Sequence, residues 1–230
     1  MIRYGTSLFR DTEYYTVHSF KNRDEWLKGR QDLNGIGGSD ASAALGMNPW
    51  RNNRDLWLIK TGRKTAPDIS DNRAVRYGQN AEEYIRRIFQ LDFEDTYEVH
   101  YKKDCILQNR ERPNFIYSPD GLLLEKETGR RGILEIKTST ILRSTDREKW
   151  KKQIPQNYYI QVLHGMITAH CDFAKLRALL RFDDETSYMK TYTIEREESA
   201  ADIDFIISGE DTFWRYVETD TEPPLIIRGL

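Results

Sequence analysis

Residues 117–140 read YSPDGLLLEKETGRRGILEIKTST, and the reading of this stretch decides the fold. Two apolar runs, Leu122–Leu124 and Ile133–Ile136, flank the turn-rich segment KETGRR, which predicts an antiparallel hairpin. In a strand, side chains at i and i+2 share a face, so Glu135 and Lys137 point together while Leu134 and Ile136 point oppositely. The hairpin returns Asp120 to their neighbourhood. Two carboxylates converging with the carbonyl of Ile136 make an oxygen-rich site of the kind Mg²⁺ accepts. A lysine beside it can orient or deprotonate a water and counter charge on a phosphoryl oxygen, which is the chemistry of phosphodiester hydrolysis. The alternative is a surface hairpin in which Glu135 and Lys137 form a solvated pair and Asp120 merely sits in a Pro-Asp-Gly turn.

The bulk numbers set the bounds. A chain of 230 residues fits one well-filled domain, or one with a small helical appendage, expected here as a helical region over about 1–72 and a core over about 73–230. With 38% hydrophobic and 31% charged residues it is ordinary globular protein with a solvated exterior. A net charge of −2 supplies no global positive field, so an anionic partner must be met by a local basic patch. Cys105 and Cys171 form no C-x-x-C and build neither a zinc cage nor an iron–sulfur cluster, and are expected to be reduced thiols. Neither a secretory leader nor a membrane-length apolar run is evident, so a soluble cytoplasmic protein is expected.

Helices are predicted over NRDEWLKGR (22–30), over ASAALG (41–46) opening at Ser39 or Asp40, and over RNNRDLWLIKTG (51–62). A fourth is predicted from Arg73 to Leu91, with Tyr77, Ala81, Ile85 and Ile88 on its apolar stripe, Glu82 on the flank of that stripe, and Glu83, Arg86 and Arg87 toward water. Strands are expected at TYEVHYK (96–102), FIYSPDGLLLE (115–125), GILEIKTS (132–139), AKLRALLRF (174–182) and KTYTIERE (190–197). Pro155–Ala169 reads as a helix apolar nearly all round, and residues 201–219 as a closing helix. This order gives an α/β or α+β fold with a mixed central sheet flanked by helices.

Gln161 stands in that apolar helix, where an unpartnered amide costs roughly 1–3 kcal/mol, so it must bond something. His164 is assigned to packing or surface. Gly35, Gly37 and Gly38 lead to Ser39 in a loop able to hold an anion, or in a plain glycine-rich cap.

S-P-D-G followed by L-E-I-K-T resembles the PD-(D/E)xK nuclease core in the version carried by the phage lambda-type exonucleases, or YqaJ-type viral recombinases. IGGSDASAALGMNPW (36–50) is similar to that family's N-terminal signature, YGQNAEEYIRRIF (77–89) to its metal-site helix, and PQNYYIQVLHGMITA (155–169) to its buried helix with Y-x-x-Q. TIEREE and FWRYVETDTEPP resemble its C-terminal end, so the likeness spans about residues 26–225.

The resemblance implies a restriction-endonuclease-like core in which Asp120, Glu135, Glu82 and the carbonyl of Ile136 hold Mg²⁺, or Mn²⁺ in its place, beside a catalytic Lys137. It implies that Gln161 positions Lys137 or the attacking water, with Tyr158 and Ser118 in support. Ser39 and Arg30 match the residues that grip a DNA 5′-phosphate, although QDLNG after Arg30 is about two residues longer than the family's spacing. The implied activity is 5′-to-3′ exonuclease action on double-stranded DNA ends, leaving 3′ single strands for a phage-type annealing protein in a bacterial host. A ring-shaped homotrimer is implied likewise. Two other readings stay open: an endonuclease with the same core, and a non-catalytic DNA-binding module of the same fold.

Overall fold

The computed structural model describes residues 4–142, 144–151, 153–182 and 186–226. Its strands are β1 (Tyr15–Ser19), β2 (Ile36–Gly37), β3 (Tyr97–His100), β4 (Cys105–Asn109), β5 (Phe115–Tyr117), β6 (Gly121–Glu125), β7 (Arg131–Ile141), β8 (Phe173–Phe182) and β9 (Ser187–Glu195). Its helices are α1 (Arg23–Leu33), α2 (Gly38–Ala44), α3 (Asn53–Lys60), α4 (Arg73–Asp92), α5 (Ser144–Lys151), α6 (Gln156–Ala169) and α7 (Ala200–Glu218).

The strands form two mixed sheets where one was expected. The five-stranded sheet runs β3-β6-β7-β8-β9, antiparallel except for the parallel pair β7–β8, whose crossover carries α5 and α6. The four-stranded sheet runs β1-β4-β5-β2. Its strands β1, β2 and β4 were not legible beforehand. β4 buries both faces, with Leu107 in the main core and Ile106 against Trp26, so it shows no alternation.

The segment FIYSPDGLLLE is not one strand but two, in different sheets. Pro119 has no N–H to give a ladder, and pairing stops at Tyr117 and resumes at Gly121. Ser118–Asp120 therefore spans the gap between the sheets. The β6–β7 register pairs Gly121 with Leu134, and one step further along it Asp120 stands across from Glu135.

Helix α4 is rotated relative to the expected stripe. Ile85 and Phe89 are buried with Leu134 and Ile136, but Tyr77 and Ile88 are exposed and Arg86 is buried. Helix α2 is capped two or three residues before the expected position, at Gly37, with Asp40 in its first turn accepting the Gly37 N–H at 3.4 Å. The larger core joins Ile36, Ala41 and Leu56 of the N-terminal region to Leu163, Met166, Leu176 and Phe213. Among the described residues no helix is long and apolar enough to cross a membrane.

Helix α6 lies between the sheets, and His164, fully buried, is bonded on both ring nitrogens: to the Glu210 carboxylate of α7 at 2.8 Å and to the Ile116 carbonyl at 3.0 Å. Close approach is set by Gly165, where a Cβ would lie 2.8 Å from both Ile133 Cδ1 and the Tyr117 ring. Gly165→Ala gains up to about 1 kcal/mol of helix propensity but overpacks this contact at a cost of roughly 1–3 kcal/mol. A net loss of stability is expected in urea unfolding; an unchanged or raised midpoint would mean that α6 can lift without penalty.

Candidate active site

Glu135 is the centre of the site. Strand alternation turns it toward α6, and its side chain is 3% exposed. Three donors from three elements converge on its carboxylate. The Tyr117 hydroxyl of β5 donates to Oε2 at 2.7 Å, while Lys137 Nζ of β7 at 2.8 Å and Gln161 Nε2 of α6 at 2.6 Å both donate to Oε1. Gln161 thus finds its required partner in Glu135 itself, and meets Lys137 only through that shared oxygen. Tyr158 lies under the lysine, its ring centre 5.5 Å from Nζ.

Asp120 takes over the ladder where the strand breaks: its Oδ2 accepts the Ile136 N–H at 2.7 Å. Its carbonyl accepts from Arg86 Nε, and the Arg86 guanidinium also pairs with Glu82 one turn earlier on α4 and lies 3.4 Å from the Tyr101 ring centre. Glu82 is therefore brought to the acidic group, on the flank assigned to it. Arg86, expected in water, is the buried cation that ties it there. Its spacing of four from Glu82 was the available signal. Tyr117 carried no such signal, because a buried aromatic on a strand does not announce what its hydroxyl will meet.

The electrostatics are those of an acid cluster short of positive charge. Loss of water, then Glu135 and Glu82 nearby, push the Asp120 carboxyl well above the usual range. Burial likewise raises Glu82, with Arg86 opposing and Glu135 adding to the shift. Burial and then the Glu135 carboxylate raise the Tyr117 phenol well above its ordinary value. For Lys137 burial works against the ammonium, but Glu135 and Asp120 outweigh it and hold the proton on.

As they stand, no three His, Cys, Asp or Glu side chains among the described residues are arranged to ligate a metal. The acids are turned instead to Ile136 N, Lys137, Gln161, Tyr117 and Arg86. The donor chemistry still fits a hard dication: the available groups are carboxylate and carbonyl oxygens, and a cation would offset the burial and the neighbouring acids that raise Asp120.

A cleft of about 80 Å³ opens beside these groups, lined by Arg30, Gly37, Gly38, Ser39, Ser118, Tyr117 and Gln161 among others. At its outer end Arg30 Nη2 donates to Ser39 Oγ at 3.3 Å. The two residues singled out for a terminal phosphate thus sit together, despite the longer spacing after Arg30. The inner end is walled by Tyr117 and Gln161, which hold Glu135.

The model of the YqaJ-like viral recombinase domain matches residues 25–172, which include every residue of the cleft and the acid cluster. The chain belongs to the YqaJ-like viral recombinase domain family. Protein YqaJ of Bacillus subtilis (strain 168) is 30% identical over 203 residues, covering 88% of this chain and 58% of that relative, so the chain spans little more than half the length of its relative. The alkaline exonuclease LHK-Exo from Laribacter hongkongensis has the same fold at a TM-score of 0.62 and 18% identity, over 86% of this chain and 94% of the other. The phage-related exonuclease from Haemophilus somnus 129PT matches at a TM-score of 0.52 and 15% identity, over 81% and 96%.

A carboxyl whose pKa burial and like charge have raised destabilises the folded state when it is ionised at neutral pH. Asp120→Asn keeps the acceptor for Ile136 N–H and removes that charge, so without divalent ions it is expected to melt at or above the parent. Added Mg²⁺ is expected to raise the melting temperature of the parent by several degrees, about 2–4 °C per kcal/mol of binding energy, and that of the variant far less. Equal shifts in both proteins would place the ion elsewhere.

Proposed function

We propose that this YqaJ-family chain is a Mg²⁺-dependent exonuclease that degrades double-stranded DNA from 5′ ends and leaves 3′ single strands for a strand-annealing protein. The observation that carries this reading is the continuity of the cleft, which joins Arg30 and Ser39 at one end to the two residues gripping Glu135 at the other. A basic, hydroxyl-bearing end suits a terminal phosphate, and the carboxylate end suits hydrolysis of the next phosphodiester. Family membership and a fold shared with proteins named as exonucleases support the same reading.

In this proposal Asp120, Glu135, Glu82 and the carbonyl of Ile136 hold the ion, with Mn²⁺ able to replace Mg²⁺. When bound, the ion supplies Lewis-acid charge to the phosphoryl group and a more acidic water. The chain's own residues do the rest. Lys137, kept protonated by Glu135 and Asp120, acts as a fixed positive donor to the phosphoryl oxygens. Tyr117 and Gln161 fix the Glu135 carboxylate in one orientation, which limits the reorganisation needed when the substrate arrives. Tyr158 borders Lys137 and limits its side-chain freedom. Ser118, between Tyr117 and the core acid, offers a hydroxyl to the DNA backbone from the cleft wall.

Residues 1–230 are proposed to work as one nuclease domain, in which the end-binding region before about residue 72 shares its hydrophobic core with the catalytic part. The proposal also includes a ring-shaped homotrimer, supported by the family resemblance, which would keep a chain of net charge −2 on its polyanionic substrate by lining an inner channel with basic residues. A cytoplasmic site of action in a bacterial host carrying phage genes goes with it.

End-labelled linear duplex is expected to be digested in Mg²⁺ while a covalently closed circle survives; cutting of the circle would favour an endonuclease, and loss of neither a non-catalytic module. Lys137→Ala is expected to lower the rate at least a hundredfold with an unchanged circular dichroism spectrum, because it deletes a charge acting at the phosphoryl group while Tyr117 and Gln161 still hold the Glu135 carboxylate. Glu82→Ala is a poorer probe, since it strands the buried Arg86 guanidinium and costs stability as well. Near-parental digestion by folded Lys137→Ala would remove the enzyme assignment.

A further inference from the structure

Beneath the outer end of the cleft lies a cluster that the acid site does not use. Asp40, on α2, is 6% exposed. Its carboxylate is met by Lys60 Nζ at 2.9 Å, Arg51 Nη1 at 3.2 Å and Arg30 Nη2 at 3.6 Å. Burial alone would raise its carboxyl, but Lys60, Arg30 and Arg51 bring it down to about 2, so it is a carboxylate at any working pH.

The three cations are not equivalent. Lys60 is 11% exposed and also donates to the Gly35 carbonyl at 2.7 Å, so it is spent inside the protein and balances Asp40. Arg30 and Arg51 are 33% and 29% exposed and are held by Asp40 from one side only. Two guanidinium charges are left uncompensated, each with donors free for another acceptor. Arg30 is pinned further by the Gly37 backbone beneath it: a Cβ there would stand 2.7 Å from Nη2. Arg51 is brought in by a turn in which Asn48 Oδ1 accepts the backbone N–H groups of Trp50 and Arg51, while Asn48 Nδ2 donates to Ser42 of α2.

Two fixed positive charges suit one ligand class in particular. A phosphate monoester at a DNA terminus carries a charge of about −1.5 to −2 at neutral pH, whereas an internal diester carries a single charge, and a guanidinium binds such oxygens in a bidentate manner. We propose that Asp40 is a positioning residue for terminal-phosphate recognition: it presents Arg30 and Arg51 together to a 5′-phosphate monoester and so sets the preference for phosphorylated over hydroxyl ends. The inference deepens the exonuclease reading and rests on it. Arg51 becomes a binding residue alongside Arg30 and Ser39, and Lys60 is the counter-ion that leaves both arginines free.

The test compares two duplexes that differ only in a 5′-phosphate or a 5′-hydroxyl, by fluorescence anisotropy in EDTA and by digestion rate in Mg²⁺. The parent is expected to favour the phosphorylated end about tenfold or more, the size of one charge-assisted hydrogen-bonded contact. Asp40→Asn is expected to bring that ratio to within about twofold of unity, and Asp40→Glu to restore part of it. Arg51→Gln leaves the Lys60–Asp40 pair intact and is expected to lower the ratio at least threefold, which keeps the test open if Asp40→Asn fails to fold. Lys137→Ala should lose digestion and keep the binding ratio, so failure of the nuclease reading and failure of this one are distinguishable. A full preference retained by folded Asp40→Asn or by Arg51→Gln overturns the proposal, as does an equal loss of affinity for both ends.

Discussion

One buried carboxylate organises this molecule. Glu135 stands with hardly any contact with water, and an isolated charge there would cost several kcal/mol. The fold meets that cost with three donors drawn from the four-stranded sheet, the five-stranded sheet and the helix between them. Tyr117 can reach Glu135 only because β5 ends there, two residues before Pro119, and the chain then changes sheets. Gln161 can reach it only because Gly165 lets α6 settle against Ile133 and Tyr117. The site is therefore a joint of the architecture as much as a chemical group placed upon it.

Around that joint, stability and chemistry pull in opposite directions. Burial, and then Glu135 and Glu82 close by, hold Asp120 well above its usual pKa, while a single ammonium and the Arg86 guanidinium balance the acids in part. At the other end of the cleft the imbalance is reversed, with one acid among three cations. A chain whose overall charge is nearly neutral thus carries two local fields of opposite sign, one around Glu135 and Asp120 and one around Asp40.

The acid pair and the lysine were legible because strand alternation is strict: once 132–139 is read as a strand, Glu135 and Lys137 must share a face. Register then brought Asp120 across from them. Glu82 came from the family resemblance with helix spacing in support, but Arg86 was misplaced in water, because a charged residue four positions on is ordinarily solvated and only the fold shows that it caps the Asp120 carbonyl. The second sheet was missed because its strands are short or buried on both faces, and periodicity carries no information there. Tyr117, Arg51 and Lys60 were missed because their roles arise from contacts between elements distant in sequence, as is that of Glu210 in fixing His164.

The proposed exonuclease activity depends on one geometric feature, a single cleft that runs from Arg30 and Ser39 to Tyr117 and Gln161, the two residues that hold Glu135. On that proposal, one nucleotide lies between the phosphate held at the first end and the bond cut at the second. The length of the first product released from a 5′-phosphorylated duplex, resolved by chromatography against synthetic standards, measures this directly. The account predicts a 5′-mononucleotide from the first turnover onward. Release of dinucleotides or longer fragments from that end would contradict it.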